Sequence, residues 1–411
     1  TGAGTGALSV LNGGNNALTV TIASSNVKGN TTFTNTNAAN SQNTSGVTGA
    51  LTVGGALAVT NANATGNKAV AVTVGGAVTV TGATTITANV GAGGGANSTL
   101  TIGGNATFTG GVTMDDNTGT TTLTFNGSSA QDVTGTIIGA SGNEGALVVS
   151  NTSAGGVTFN SALGGTQLKS LLVSNNGNNV SATFKATTNI AAMTMGNGAG
   201  TDTNTVTFDG TFTVTGTLQG DGAANDTNNV VIKTGTITTA SAWGGGGNAI
   251  DTLTVTGSSA ALTAGAAITA TNFTLASGGT INTGAQTLTG DINGTGTVVA
   301  TGNGTVTGNI GNSTKITGVT INTGNTLTVS GDVKATTTTL VGAGSTLALT
   351  AAAHTVDSAV VASSNGNGAI TIADGNATTT VTGNIGTSTA KLASLAIAGN
   401  GGNTLTTTGN L

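Results

Sequence analysis

Residues 306–329 read VTGNIGNSTKITGVTINTGNTLTV, and from residue 381 the chain says nearly the same again, VTGNIGTSTAKLASLAIAGNGGNTLTT. The shared skeleton is an apolar-Gly pair, a short polar spacer, an alternating apolar segment and a Gly/Asn turn. Looser copies stand upstream: Ile138-Gly139 before Leu147, Leu163-Gly164 before Leu171, and Trp243-Gly244 before Leu253 and Val255. The gaps between the successive marker glycines Gly139, Gly164, Gly244, Gly311 and Gly386 fit one, three, three and three units of roughly 25 residues. A fixed period in that range signals a repeat architecture, and it outranks any local reading.

Working outward, LTVGGALAVT from Leu51, VTVGGAVTVTG from Val72 and LTIGGNATFTG from Leu100 each read as strand, Gly-Gly bend, strand. Period-2 alternation is the pattern of a strand with one face buried. The bends at Gly54, Gly75 and Gly103 are spaced by one gap shorter and one longer than the unit, and their average again lies close to it. Glycine pairs there are expected to supply positive-φ corners. LVVSNTSAGGVTF from Leu147 aligns with LVSNNGNNVSATF from Leu172, which stacks Phe159 on Phe184. Further strand pieces are 7–11, 17–22, 206–208, 212–218, 230–232, 253–255, 268–275 and 288–292. Residues 24–46, whose large apolar residues are Val27 and Phe33, read as a polar decoration loop. Sustained i, i+3, i+4 spacing is missing and poor helix formers are everywhere, so even the closest helical candidate, 351–361, is unconvincing.

The expected fold is therefore all-β: a single right-handed parallel β-solenoid with rungs of about 25 residues and no substantial helix. Residues 1–50 carry the first strands and the polar loop, and 51–411 the continuous repeats. A solenoid extends one core without dividing into domains. Proline is absent, so every backbone N–H stays available to the ladder, and turns fall to Gly, Asn and Asp. Identical Asn or Thr side chains in successive rungs can form ladders along the stack.

Composition narrows the function. Charged residues are 5%, against roughly a quarter in ordinary domains, while 36% are apolar and the mean hydropathy is +0.21. Such a chain can bury a core. A net charge of −5 with no basic run lacks the footprint of a nucleic-acid binder. No continuous apolar window is long enough to span a membrane. Zero cysteine excludes disulfides and thiol chemistry. A first residue of Thr fits a mature chain whose targeting segment is gone, or one trimmed artificially.

Catalysis on a solenoid needs grouped carboxylates, and the chain has twelve Asp, one Glu, one His, eight Lys and no Arg. Asp115-Asp116 is the one adjacent acid pair, and strand neighbours point to opposite faces. His354 with Asp357 makes an acid/base pair in spacing only, with no second His for a metal. Asp and Asn are calcium ligands, yet the calcium-binding G-G-x-G-x-D repeat does not occur; Asp209-Gly210, Asp221-Gly222 and Asp374-Gly375 read as turns. The GGGG at 244–247 lacks the Gly-Lys-Ser/Thr of a phosphate loop. Trp243 fills an apolar marker slot and is expected in the core rather than as a sugar platform. Sequons at Asn30, Asn97 and Asn312 follow from composition. No catalytic, cofactor or metal residue is assigned, and calcium stays open as a ligand.

VTGNIG...KLASLAIAGN...TLTTTGN from residue 381, with TLTFNGSSAQDVTGTIIG from Thr122, resembles the passenger region of autotransporter surface proteins of the rickettsial outer-membrane protein B type, over 127–411. The resemblance implies an exported solenoid on a bacterial surface. That family also carries a translocator barrel, and no aromatic-ended membrane strands occur before Leu411. Together these lead to an expected extracellular, non-enzymatic, self-assembling protein, a subunit of a surface layer or filament with itself as partner. The alternative is an adhesin passenger binding host surfaces or cell-surface glycans.

Overall fold

The computed structural model describes residues 6–36, 42–62, 68–88, 96–117, 119–175, 177–196, 201–222, 226–350, 353–373, 378–398 and 404–411. These hold forty strands and no helix, and every strand-to-strand register among them is parallel. The chain divides into two compact units, Thr1–Thr207 with Thr215–Asn228, and Phe208–Val214 with Asn229–Leu411. Both units are parallel β-solenoids.

In unit 1 the early rungs carry three short strands each. Leu57–Asn61, Val70–Val74 and Val78–Val80 are one rung, and each pairs with the third strand after it. In unit 2, from Ile250–Thr256 onward, rungs carry two longer strands, and each pairs with the second strand after it. The length of chain spent on a rung is uneven. In unit 1 the step from Leu171 to Met193 is short and that from Thr84 to Val112 long. In unit 2 the step from Thr280 to Thr297 is short and that from Thr378 to Thr404 long.

The alternating sequence makes these strands because Val, Ile, Thr and Phe fit a pleated surface with one face buried. LAVTN at Leu57–Asn61 buries Leu57, Val59 and Asn61 and leaves Ala58 and Thr60 at the surface. Inward columns then stack like on like. Phe159 pairs with Phe184 as the sequence predicts, with ring centroids 5.2 Å apart and planes at 4°, and Phe125 meets Phe159 edge-on at 5.5 Å. Each such ring contact adds about 0.5–1.5 kcal/mol beyond the area it buries.

Several expectations change. The polar stretch 24–46 is built largely of strands: Ser25–Val27, Thr31–Asn35 and Asn43–Val47 all join the ladder, and Phe33 is fully buried. Its polarity comes from Thr, Asn and Ser in strand positions. Residues 353–361 of the helical candidate, where described, lead into the strand Thr355–Ala362. Leu147 pairs with Leu171 rather than Leu172, since a slip by a single position would turn every side chain to the other face.

The Gly-Gly pairs have a different physical reason from the one expected. None of Gly54, Gly55, Gly75, Gly76, Gly103 and Gly104 has positive φ. They are glycines because turns stack backbone on backbone: a Cβ on Gly76 would lie 2.7 Å from the carbonyl carbon of Gly49, and one on Gly104 would lie 2.5 Å from the nitrogen of Ala77. Gly103 stands over Gly75, one rung back, but Gly54 stands over Lys28 in a different turn of the rung. The shorter gap, from Gly54 to Gly75, is thus not a rung.

The marker motif behaves likewise. Trp243 pairs with Ile268, then Leu288, then Val306, and Ile310 lies four positions beyond Val306. Ile310 pairs in turn with Val333, Val356 and Val381, and Ile385 lies four positions beyond Val381. Each recurrence is three rungs plus four positions, so the three copies occupy three different columns. What they share is local: Gly244, Gly311 and Gly386 have φ of 69°, 75° and 75°, a left-handed step that only glycine takes cheaply. In unit 1, Leu163 pairs with Ile137, which leaves Ile138 facing outward.

Candidate functional site

Asp115 and Asp116 do face opposite ways. Asp115 is partly exposed; Asp116 is buried, its Oδ1 accepting from the Thr121 amide at 2.8 Å and hydroxyl at 2.6 Å, and Lys169 Nζ lies 3.7 Å from Oδ2. It holds a turn and leaves no second acid beside it. His354 and Asp357 are separated by the same alternation. His354 is buried with Nδ1 3.0 Å from the Gly331 carbonyl oxygen. Asp357 lies at the surface, where its carboxylate accepts from Lys315 Nζ at 2.8 Å and Thr382 Oγ1 at 3.1 Å. The hydrogen bond from Lys315, reinforced by Thr382, holds Asp357 below the ordinary carboxylate pKa of 3.8 against a smaller opposing effect of burial.

Trp243 is fully buried, stacked on Phe208 at 5.5 Å. It is core, in a column other than those of Ile310 and Ile385. Asp209 takes Lys233 at 3.1 Å and Thr234 at 2.6 Å from the next rung. Asp221 packs against Gly196 one rung away. Asp374-Gly375 lies outside the described residues. Among the described residues no three His, Cys, Asp or Glu side chains gather as a metal group.

Polar side chains nevertheless reach the interior in columns. Asn12, Asn35 and Asn61 stand in register, all buried. Asn12 Nδ2 donates to the carbonyls of Asn16 and Gln42, and Asn61 Nδ2 to those of Lys68 and Asn97. Buried amides of this kind must be paired, and here they tie connecting segments to the ladder. A second polar group joins Asp202 and Asn204 to Asp226 and Asn228, one rung on. It went unremarked in the sequence, although the segment Asp-Thr-Asn at 202–204 recurs at 226–228.

Two surfaces remain. One is an uncharged outward file: Thr52, Thr79, Thr107 and Thr134 stand exposed in register over four rungs of unit 1. The second lies at the strands Leu392–Ile397 and Thr404–Thr407. Among the described residues they pair with Asn367–Ala373 and Thr378–Val381. Ile370 and Ile372 are 1% exposed, whereas Ile397, one rung further, is 46% exposed and Leu411 is 78% exposed. A cavity of about 860 Å³ opens there, lined by Ile385, Leu392, Leu395 and Leu411 among others. In unit 1 the rung of Leu8–Asn12, Leu18–Ile22 and Ser25–Val27 pairs, among the described residues, with Thr31–Asn35, Asn43–Val47 and Leu51–Val53, and the inward Leu18, Val20 and Ile22 stay partly exposed.

Fold and surface together define a sparsely charged, proline-free, parallel β-solenoid protein. Comparison with protein-family models, curated proteins and solved structures finds no match.

Proposed function

We propose that this chain is a structural protein of an extracellular bacterial assembly, a surface layer or filament in which copies add end to end through their terminal rungs. The observation that carries the reading is the parallel ladder: the strand edge of Leu392–Ile397, free of proline and with Leu395 in register with Ile370 and Leu347, repeats the pairing of the rungs before it. Such an edge templates further strand pairing. Pairing it with the edge of Leu8–Asn12 and Leu18–Ile22 in a second copy is a heterologous contact, which propagates instead of closing. The low charge of the outward faces favours close lateral approach, since little like-charge repulsion opposes it. The bacterial, exported setting rests on the resemblance in the sequence.

Electron microscopy and light scattering of the purified full chain test the proposal. Filaments or sheets are expected, and Leu395→Lys with Ile397→Lys, which place charges on that edge, should abolish them with the circular-dichroism spectrum unchanged. Particles that stay monodisperse at every concentration refute it. If they also coat cells, the adhesin reading replaces it.

A further inference from the structure

The geometry points to a calcium site inside unit 1, formed by Asp202 and Asp226 with the amide oxygen of Asn204. Asp202 and Asp226 are each 6% exposed and stand one rung apart, joined by the Asp202 amide donating to Asp226 Oδ1 at 3.2 Å. Gly177 N donates to Asp202 Oδ2 at 2.9 Å. None of the ion pairs among the described residues includes either aspartate. Two carboxyl groups are thus buried side by side, and among the described residues the donors seen against them are backbone amides; buried charge without a counter-charge is expensive.

An independent observation lies beside them. Asn204 is 0% exposed and its Oδ1 has no partner, while its Nδ2 reaches Asn228 Oδ1 at 3.4 Å; Asp226 Oδ2 is also buried without a partner. Asp202 and Asn204 are two apart along the chain, as are Asp226 and Asn228, and all four are buried. The orphaned atoms are both oxygens, and both sit in a group that holds two carboxyl side chains. A cation satisfies them together.

Calcium is the cation whose chemistry fits. It takes oxygen ligands at about 2.3–2.6 Å in irregular shells of six to eight, whereas magnesium demands an octahedron and retains its water. Adjacent rungs stand about 4.8 Å apart, close enough for side-chain oxygens on the two rungs to share one ion. The site gains in affinity from burial and loses from having two carboxylates rather than three or four. Water completes the shell through the small exposed fraction of the two aspartates.

Equilibrium dialysis with calcium and calorimetric melting of the whole chain in calcium, magnesium or EDTA test the site. One calcium per chain is expected, with a melting temperature about 5 °C or more higher in calcium at roughly 100-fold above the dissociation constant and little change in magnesium. Asp226→Asn keeps the shape and removes a charge; it should melt at the same temperature in calcium and EDTA, above the wild type in EDTA. Asn204→Asp, adding a third carboxylate, should enlarge the calcium shift. No bound calcium in the wild type, or an undiminished calcium shift in Asp226→Asn, overturns the assignment.

Discussion

Leu171 and Leu172 are sequence neighbours of identical chemistry, and the rung register assigns them opposite fates. Leu171 pairs with Leu147 and Met193 and is 1% exposed, while Leu172 pairs with Val148 and Thr194 on the outward face and is partly exposed. Truncating Leu171 to Ala removes buried methyl groups and leaves a cavity walled by adjacent rungs that are held by their own ladders. The expected cost is about 3 kcal/mol, within the usual range of roughly 2–5 kcal/mol for a buried leucine. Leu172→Ala should cost about 0.5–1 kcal/mol, because most of its transfer term is not realised. The difference, about 2 kcal/mol, corresponds to roughly 4–8 °C in the melting temperature of a unit of about this size. Circular dichroism during thermal and urea unfolding of the two variants reads it directly. Equal costs, or a larger loss in Leu172→Ala, would refute the register that sets Leu171 on Leu147 and with it the inward assignment of the strand.

Two further outcomes follow from the stacked turns and the surface charges. Gly76→Ala drives a methyl into the backbone of Gly49 and Ala50, which cannot swing aside, and should destabilise by about 1–3 kcal/mol; Gly14→Ala, with nothing within 4 Å, should be neutral or slightly stabilising, and similar melting of the two would discredit the stacking argument. Asp357, whose folded pKa lies below its unfolded value of about 3.8, contributes stability that is present above that value and lost as the pH falls through the folded one. The side chains of Lys315 and Asp357 are 42% and 44% exposed, so the contribution is under about 1 kcal/mol. A nuclear magnetic resonance titration should show Lys315→Met moving the Asp357 midpoint upward; an unmoved midpoint would show that Lys315 does not hold it down.

The fold was legible because burial of one strand face writes a period of two into the chain, and the stacking of rungs writes a longer one. Phe159 over Phe184 is a case where both periods were read correctly, and the strand pieces from 206 to 292 all lie within observed strands. What was not legible is which similar stretches are equivalent. Rungs absorb insertions in their turns, so the chain from Leu147 to Leu171 is shorter by a single position than that from Phe159 to Phe184, and motif matching cannot see the slip. The polar strands at 25–47 were missed because Asn and Ser take inward positions there, paired with backbone in ways that hydropathy does not register. The interior aspartates were within reach. Asp-Thr-Asn at 202–204 and 226–228 repeats at rung spacing, but a search for adjacent acids passes over acids that are adjacent only across rungs.

The three-rungs-plus-four step of the Trp-Gly and Ile-Gly motifs has a consequence for editing this protein. A whole number of rungs removed between paired positions, such as Val333 and Val356, would leave every downstream column intact. Excision between the two look-alike NIG motifs, joining Ile310 to Gly386, would remove four positions too many and deliver each later strand to the wrong side of its rung. Sequence similarity marks the seam that looks safest to cut, and hydrogen-bond register shows that seam to be out of phase.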